Sequence, residues 1–230
     1  MTNAETLKQQ AATAAIAYLK PDMVLGVGTG STVNAFIDQL GQYKHWFSAV
    51  VASSEATAKH LKQQGIHAVD LNTVEVDLYI DGTDEIDPYF QLIKGGGGAL
   101  TREKILAAAS KQFIVIADEN KQVKRLGEDF PIPVEVIPMA RSYVARQIVQ
   151  LGGDPYYREQ CITDNGNVIL DVHNLKMLDV IAIDHQLNQI PGVVCHGLFC
   201  HQTANIALIA TDDGVKTIHK EQLSFDFMED

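Results

Sequence analysis

The sequence has few cysteines, a deficit of basic residues and no long apolar run, and each shortage excludes a class of protein. Its three cysteines are odd in number and widely placed along 230 residues, which predicts a reducing compartment without structural disulfides. Lys and Arg number 18 against 29 Asp and Glu, giving a formal net charge of −11. Because a general nucleic-acid binder needs a basic footprint on the phosphate backbone, we expect no nucleic-acid partner. Any anionic substrate must be held by a local positive site.

Membrane association is not expected either. No apolar run approaches the roughly 20 residues that a membrane span requires. Residues 1–19 carry no basic segment before their apolar stretch, and their apolar positions recur at helical spacing. They predict an amphipathic helix rather than a signal peptide, so we expect a cytoplasmic protein with no membrane partner.

Alternation of short apolar strands with helical patterns dominates the first 120 residues. Hydrophobic residues make up 46% of the chain, enough for a buried core. Strands are predicted over residues 23–28, 48–52, 67–69, 77–81 and 112–117. Helices are predicted from Ser31 to Leu40, over 54–64 and over 98–109. The alternation predicts an α/β fold, a Rossmann-like parallel sheet with helices on both faces.

The pattern changes near Pro131 and Pro133. Predicted next are a strand (132–137), a helix (139–151), two strands flanking Asn165-Gly166, a helix (178–189) and a strand (192–199). This β-α-β-β-α-β order is typical of a ferredoxin-like unit, and strands at 205–210 and 215–218 should return to the main sheet. We therefore predict an α/β catalytic domain (1–130 and 201–220), an inserted ferredoxin-like α+β domain (131–200) and an acidic tail (221–230).

A glycine-containing turn, GVGTGST at 26–32, follows the first predicted strand and opens a helix. Glycines let a backbone approach a ligand, and the N–H groups of a helix start attract an anion. Val33 stands where a dinucleotide fingerprint has its third glycine, and no Lys follows the last glycine. The motif indicates either a phosphate site or a simple tight turn.

A cluster of carboxylates, DLYIDGTDEID at 77–87, ends another predicted strand. In open α/β sheets, ligands bind outside the carboxyl ends of the strands, where Asp81 and Asp84 would lie. A solvated acidic turn is the simpler interpretation for Glu85 and Asp87. For Asp81 and Asp84, the residues alone leave open a Mg²⁺ or Ca²⁺ site, because these ions prefer oxygen ligands.

The segment KGGGGALTREKIL at 94–106 is the most specific motif of the chain. Four consecutive glycines are costly in backbone entropy, and they suit a place where main-chain N–H groups contact a ligand or a developing oxyanion. On a helix starting near Gly98, Glu103 shares a face with Ala99 and Leu106. A carboxylate on such a face is partly desolvated, which favours a stronger base than a surface Glu. The alternative is a surface Glu paired with a nearby Lys.

Lysines and a Cys/His-rich segment complete the candidates. Lys121 follows the end of another predicted strand, where it could meet a phosphate as a point charge, and Lys8 of the first helix is a second candidate cation.

The segment CHGLFCH at 195–201 matches no standard zinc spacing, and neighbouring residues of a strand face opposite ways. We interpret it as an apolar strand and predict no metal site.

Taken together, GVGTGST, DGTDEID, KGGGGALTREKI, ADENKQVKRLG and PIPVEVIPMAR resemble the type A ribose-5-phosphate isomerase family, and TDNGNVILDV and IPGVVCHGLF extend the likeness over about residues 5–220. The resemblance implies a cytoplasmic, metal-independent homodimer without a cofactor. Such an enzyme interconverts ribose 5-phosphate and ribulose 5-phosphate through a cis-enediolate in the non-oxidative pentose phosphate pathway.

The resemblance also implies residue roles. The catalytic base falls on Glu103, the sugar-binding and proton-handling acids on Asp81 and Asp84, and the catalytic lysine on Lys94. Phosphate contacts fall on Ser31, Thr32, Lys121 and Lys8. The remaining residues implied to line the site are Thr29, Gly30, Gly82, Thr83, Gly95, Gly96 and Gly97. Thr83 stands where Ala is common in the family.

Two other functions remain open. Some transcriptional regulators sense sugar phosphates with a related fold, but only about twenty residues precede the first predicted strand here, too few for a helix-turn-helix module. A deaminase or lactonase acting on a hexose phosphate would differ around the glycine run.

Overall fold

The computed structural model describes residues 3–220, so the predicted acidic tail lies outside the described residues. Its helices are α1 (Asn3–Ile16), α2 (Ser31–Leu40), α3 (Glu55–Gln63), α4 (Leu100–Ala109), α5 (Arg141–Gln150) and α6 (Val180–Asn188). Its strands are β1 (Met23–Val27), β2 (Phe47–Ala52), β3 (Val76–Asp81), β4 (Glu85–Ile86), β5 (Leu92–Ile93), β6 (Ser110–Asp118), β7 (Ile132–Val136), β8 (Asp154–Tyr157), β9 (Val168–His173), β10 (Val193–His196), β11 (Leu198–Phe199), β12 (Ile206–Thr211) and β13 (Gly214–His219).

The chain forms two compact units, each made of separate stretches of sequence. Of the described residues, 3–83, 102–122 and 202–220 form the first unit, and 84–101 and 123–201 form the second. The predicted boundaries differ, because they assign 84–101 and 123–130 to the first domain. The reason is a three-stranded sheet in which β5 pairs with both β4 and β11, which ties residues near 85–93 to the second unit.

A six-stranded sheet in the order β13-β12-β6-β3-β1-β2 forms the first unit. Its strands are parallel except β13, which runs antiparallel to β12. Leu25 and Ile80 pack on one face with apolar residues of α1 and α2. On the other face, Leu106 of α4 lies beside Gly26. Helices thus cover both faces of a mostly parallel sheet, which confirms the predicted fold class, including the return of the last two strands.

One strand predicted in this unit does not form among the described residues. In the described part of the chain, residues 67–69 are assigned to no strand, and the Val69 N–H donates a hydrogen bond to the Val50 carbonyl at 2.8 Å. The short apolar run therefore passes beside the edge strand β2 without extending the sheet.

A four-stranded antiparallel sheet in the order β10-β7-β9-β8 forms most of the second unit. With α5 after β7 and α6 after β9, the chain order is the predicted β-α-β-β-α-β. Val134 and Val136 pack with Val144 and Ile148 of α5 in its core. This sheet is the smaller antiparallel unit that the sequence predicts.

The Asn-Gly turn of this unit lies next to one strand rather than between two. The Gly166 N–H donates to the Thr163 carbonyl at 2.8 Å, and β9 begins at Val168, whereas β8 already ends at Tyr157. The cause is the fully buried carboxylate of Glu135, whose Oε1 accepts hydrogen bonds from Thr163 Oγ1 at 2.8 Å and Asn167 Nδ2 at 2.8 Å. The loop before β9 is folded around this carboxylate.

The strand predicted over 192–199 is broken in two. Val193–His196 pairs with β7, and Leu198–Phe199 pairs with β5 in the three-stranded sheet. Gly197 stands at the break, where its N–H donates to the Pro133 carbonyl at 2.7 Å and its carbonyl accepts from the Lys94 N–H at 2.9 Å. No described helix is long and apolar enough to cross a membrane.

Candidate active site

The carboxyl ends of three neighbouring parallel strands collect most of the predicted site residues of the first unit. Strands β1, β3 and β6 end at Val27, Asp81 and Asp118, and the register pairs Asp81 with Val115 of β6. The turns that follow contain Gly28–Thr32, Gly82–Thr83 and Lys121. Ligands bind at this edge of open α/β sheets, so the fold brings these predicted residues to one end of the sheet.

Asp81 is fully buried and held by several donors. Its Oδ1 accepts the N–H groups of Thr29 at 3.0 Å and Gly82 at 2.7 Å, and its Oδ2 accepts the phenol hydrogen of Tyr79. Hydrogen bonds to a carboxylate are stronger than those between neutral groups. Asp81 is therefore fixed in orientation before any ligand arrives.

The Asp81 side chain leaves room only for a glycine at position 28. A Cβ at position 28 would lie 1.9 Å from Asp81 Oδ1, and the Gly28 N–H donates to the Ile80 carbonyl at 2.9 Å. This glycine of the GVGTGST turn thus lets the chain pass close to a carboxylate, a role that the motif alone did not indicate.

Tyr79 is a residue that the sequence analysis missed. It is fully buried and stacks on Phe113 with ring centroids 4.9 Å apart. Burial raises the pKa of its phenol well above 10, and the negative charges of Asp81 and Glu103 raise this pKa further. Tyr79 therefore stays protonated as a donor to Asp81. Its position two residues before Asp81 on a strand, hence on the same face, was the available signal.

Glu103 lies in the first turn of α4 and is 3% exposed. Leu106, three residues later, is buried on the same side of the helix. A Cβ at Gly26 would lie 3.0 Å from Tyr79 Cδ2 and 3.3 Å from Leu106 Cδ2, so the buried face of α4 packs on the sheet beside Tyr79.

The Thr29 hydroxyl belongs to a polar network. Its Oγ1 is within hydrogen-bond distance of the hydroxyls of Ser53 (2.8 Å), Ser54 (2.8 Å) and Thr57 (3.0 Å). Thr57 in turn donates to the Gly28 carbonyl at 2.7 Å. This network links the turn after β1 to the start of α3 and holds its backbone in place.

Lys8 and Ser31, two of the predicted phosphate contacts, line one cavity of about 370 Å³ in the first unit. Ser31 is the first residue of α2, and Gly30 before it adopts φ 130°. Glu5 and Asp38 also line this cavity, so the lysine has carboxylates beside it. Thr32 and Lys121 are partly buried.

In the second unit, Asp84 is bound to the glycine run. The Gly96 N–H donates to Asp84 Oδ2 at 2.8 Å, and the Asp84 N–H donates to the Ile93 carbonyl at 2.9 Å. A Cβ at Gly96 would lie 2.8 Å from Asp84 Oδ1. The run and the acidic cluster, separate motifs in the sequence, are therefore in contact.

Lys94 is 2% exposed, an unusual environment for a lysine. Its ammonium Nζ lies 5.7 Å from the centroid of the Phe199 ring, within the range of a cation–π contact. Its N–H donates to the Gly197 carbonyl at 2.9 Å, so the break between β10 and β11 fixes its backbone.

Arg158 is a second residue that the sequence analysis missed. Its Nη1 donates to the carbonyls of Gly95 at 3.0 Å and Gly96 at 3.1 Å. The same guanidinium forms a bidentate hydrogen bond with the Asp171 carboxylate: Nε lies 2.8 Å from Oδ2, and Nη2 donates to Oδ1. Burial lowers the pKa of Arg158, but the hydrogen bonds and charges of Asp171 and Cys161 together raise it by more, so the net pKa is raised. By holding their carbonyls, Arg158 fixes the direction of the peptide groups at Gly95 and Gly96.

Comparison with known proteins identifies the family. Residues 49–214 match the model of ribose 5-phosphate isomerase A (phosphoriboisomerase A), which is more than half of the chain. The chain belongs to the ribose 5-phosphate isomerase A family. This confirms the resemblance that the motifs carry and identifies the chain as an isomerase.

Solved structures of ribose 5-phosphate isomerases match over almost the whole chain. The Neisseria gonorrhoeae ribose 5-phosphate isomerase A is 40% identical, covers 96% of this chain and 99% of its own, and superposes with a TM-score of 0.92. The Methanocaldococcus jannaschii enzyme is also 40% identical, with 94% and 100% covered and a TM-score of 0.90. A D-ribose-5-phosphate isomerase in complex with phospho-erythronic acid is 36% identical, with 95% and 100% covered and a TM-score of 0.90.

Proposed function

We propose that the protein interconverts D-ribose 5-phosphate and D-ribulose 5-phosphate through a cis-enediolate, in the non-oxidative pentose phosphate pathway. In this proposal it acts in the cytoplasm as a homodimer, without metal or cofactor, and its catalytic domain is the α/β domain. Membership of the ribose 5-phosphate isomerase A family supports the reaction. The complex of a relative with phospho-erythronic acid supports the intermediate, because the planar carboxylate of that acid carries negative charge on two oxygens, as a cis-enediolate carries charge on the oxygens of two adjacent planar carbons.

The buried pair of carboxylates, Asp81 and Glu103, is the observation that carries the proposal. Asp81 is 0% and Glu103 is 3% exposed, and the charges of both raise the pKa of Tyr79. Carboxylates are seldom buried without a functional or structural reason, because a charge loses its hydration. Proton transfer at carbon needs such a desolvated, positioned base.

Glu103 is the proposed base. Its carboxylate removes the proton from C2 of the open-chain aldose and then delivers it to C1, while a proton passes from the C2 hydroxyl to the C1 oxygen. One carboxylate can serve both carbons because they lie on one face of a cis-enediolate. A positioned general base typically contributes about 10²–10⁴-fold to the rate.

Charge on the enediolate oxygens requires fixed donors. Lys94 and the N–H groups of Gly95 and Gly97 are proposed to supply them, because the Gly96 N–H already donates to Asp84. A preorganised donor of this kind is worth roughly 10²–10³-fold in turnover. The bonds of Arg158 to two carbonyls of the glycine run support a preorganised loop.

Hydroxyl groups of the sugar are assigned to Asp81 and Asp84, which would also assist opening of the furanose ring. The phosphate is assigned to Ser31, Thr32, Lys121 and Lys8, and its binding energy fixes the orientation of the sugar. Backbone groups proposed to line the same site are those of Thr29, Gly30, Gly82, Thr83 and the glycine run.

The test uses purified full-length protein in EDTA, with ribose 5-phosphate as substrate and D₂O as solvent. We expect ribulose 5-phosphate to form with deuterium at C1, because the proton that Glu103 takes from C2 can exchange with solvent before it is delivered to C1. Full activity in EDTA supports metal independence, and loss of activity on chelation would restore the Mg²⁺ interpretation of Asp81 and Asp84. Binding without turnover would indicate a sensor, and turnover of hexose phosphates alone would indicate a deaminase or lactonase.

A further inference from the structure

Four side chains with metal-ligating atoms converge in the second unit. Asp184 lies in α6, His196 ends β10, and Cys200 and His201 follow β11. One ligand atom each of Asp184, Cys200 and His201 lies within 4.8 Å of the other two. His201 Nε2 is 3.5 Å from Asp184 Oδ2, and His196 Nε2 is 3.4 Å from Asp184 Oδ1.

The sequence argument against a metal at CHGLFCH does not hold for its last two residues. That argument places Cys200 and His201 on opposite faces of a strand, but the strand ends at Phe199. Beyond this end the chain bends, and both side chains reach the same carboxylate. The third ligand, Asp184, comes from the preceding helix α6 and is a carboxylate, which a search for a second Cys/His pair does not consider.

We propose that Asp184, Cys200 and His201 form a binding site for a divalent transition ion of the Zn²⁺ class. A thiolate, an imidazole and a carboxylate are the ligand types that Zn²⁺ takes in proteins, at about 2.0–2.3 Å. Two such ligands on one tetrahedral ion are about 3.3–3.6 Å apart, which the 3.5 Å between His201 Nε2 and Asp184 Oδ2 matches. The thiolate and the carboxylate balance the charge of the ion, and three protein ligands leave a fourth position for water.

Asn188 holds the carboxylate of Asp184 in place for this site, and the His196 ring lies beside that carboxylate. His196 is fully buried, and its Nδ1 accepts the Leu198 N–H at 3.3 Å. Its Nε2 lies 3.4 Å from Asp184 Oδ1. Asn188 Nδ2 donates to Asp184 Oδ2 at 3.0 Å. Such outer partners of a ligand orient it and typically change metal affinity by about 10–100-fold when removed.

Access to the site is through His201. Its side chain is 56% exposed, whereas that of Asp184 is 9% exposed. An exposed imidazole can rotate to bring its nitrogen to an ion that the buried thiolate and carboxylate already contact. The ion would thus enter from the solvent side of the loop that follows β11.

The experiment counts metal on the chelator-treated full chain after dialysis against Zn²⁺, and titrates the same protein with Co²⁺ while recording absorption. We expect one ion per chain and a near-ultraviolet thiolate-to-cobalt band. Cys200→Ser should abolish the band and lower affinity by more than about 100-fold, and His201→Asn should lower affinity similarly. The matched controls Cys195→Ser and Cys161→Ser should bind as the parent does.

His201→Asn guards against a folding artefact, because it changes an exposed side chain, and circular dichroism checks each variant. Absence of Zn²⁺ or Co²⁺ binding by the parent overturns the proposal. So does equal binding by the parent, Cys200→Ser and His201→Asn, or loss of the cobalt band in Cys195→Ser. Isomerase activity in EDTA is a separate measurement, so failure of one proposal leaves the other testable.

Discussion

Tyr79 donates its phenol hydrogen to Oδ2 of Asp81, two residues further along the same buried strand. The opposite oxygen of Asp81 is occupied by backbone donors, so the phenol restrains the remaining rotation of the carboxylate. The same phenol is affected by the charge of Glu103. Tyr79 thus restrains one of the two carboxylates to which we assign the chemistry.

Tyr79→Phe removes this donor while keeping the ring. We expect the free energy of unfolding to fall by about 1.5–3 kcal/mol at neutral pH, because a buried carboxylate loses a hydrogen bond. Turnover should fall roughly tenfold, equivalent to about 1.4 kcal/mol of the barrier, since Asp81 is less well fixed. Urea unfolding and steady-state kinetics measure the two effects, with Tyr143→Phe, at an exposed tyrosine, as the control.

Alkaline pH provides an independent check on Tyr79. Because its folded pKa lies well above 10, the native state keeps a proton that the unfolded chain loses above pH 10. Stability therefore falls as pH rises from 10 towards the folded pKa, and this one group contributes a slope of about 1.4 kcal/mol per pH unit. The Phe variant should show a shallower decline. Parallel curves would contradict the buried, protonated phenol.

Glu103→Gln keeps the shape of the proposed base and removes its basicity. We expect kcat to fall by about 10²–10⁴-fold with KM nearly unchanged, because the lost interaction belongs to the transition state. Glu128→Gln, at an exposed position, should leave both constants unchanged. Near-parental turnover of Glu103→Gln would end the assignment of the base.

Gly28→Ala tests the close approach of the chain to Asp81. The new Cβ would lie 1.9 Å from Asp81 Oδ1, so either the carboxylate or the turn must shift. We expect a loss of stability of about 1–3 kcal/mol and a large loss of kcat. Gly41→Ala is the matched control, because its backbone is helical with φ −53° and the nearest atom would be 3.3 Å away. Thermal unfolding and kinetics should separate the two variants.

Substitution of Arg158 and Asp171 tests whether their ion pair is needed to hold the glycine run in position. A double-mutant cycle with Arg158→Met and Asp171→Asn should give a coupling energy of about 1.5–3 kcal/mol, because both side chains are four-fifths buried. If Arg158 orients Gly95 and Gly96 for the oxyanion, Arg158→Met should lower kcat more than it raises KM. An unchanged kcat in a folded variant would limit Arg158 to a structural role.

Some features follow from the sequence because their causes are local. Apolar strands alternating with helices predict the parallel sheet, and the parallel order brings Asp81 and the turn after β1 to one edge. The motifs around Lys94 and Glu103 are contiguous, so their resemblance to the family could be recognised in the linear sequence and is confirmed. The roles of these residues stay proposals, because the sequence specifies which groups are present and not what they transfer.

Other features depend on contacts between residues far apart in the chain, which no local period encodes. The spacing along β3 places Tyr79 and Asp81 on one face, but the burial of the phenol depends on tertiary contacts such as the stacking of Tyr79 on Phe113. Arg158 reaches the glycine run only because the second sheet folds. Residues 84–101 join the second unit because β5 pairs with β11.

The sequence by itself determined the fold class, most of the longer helices and strands and the family, because periodicity and contiguous motifs are properties of neighbouring residues. The tertiary structure alone decided which side chains restrain the carboxylates and where the last strand of CHGLFCH ends. That end point brings Cys200 and His201 to Asp184. The physical reason is that hydrogen bonding and burial act over a few ångströms in space, whatever the separation along the chain.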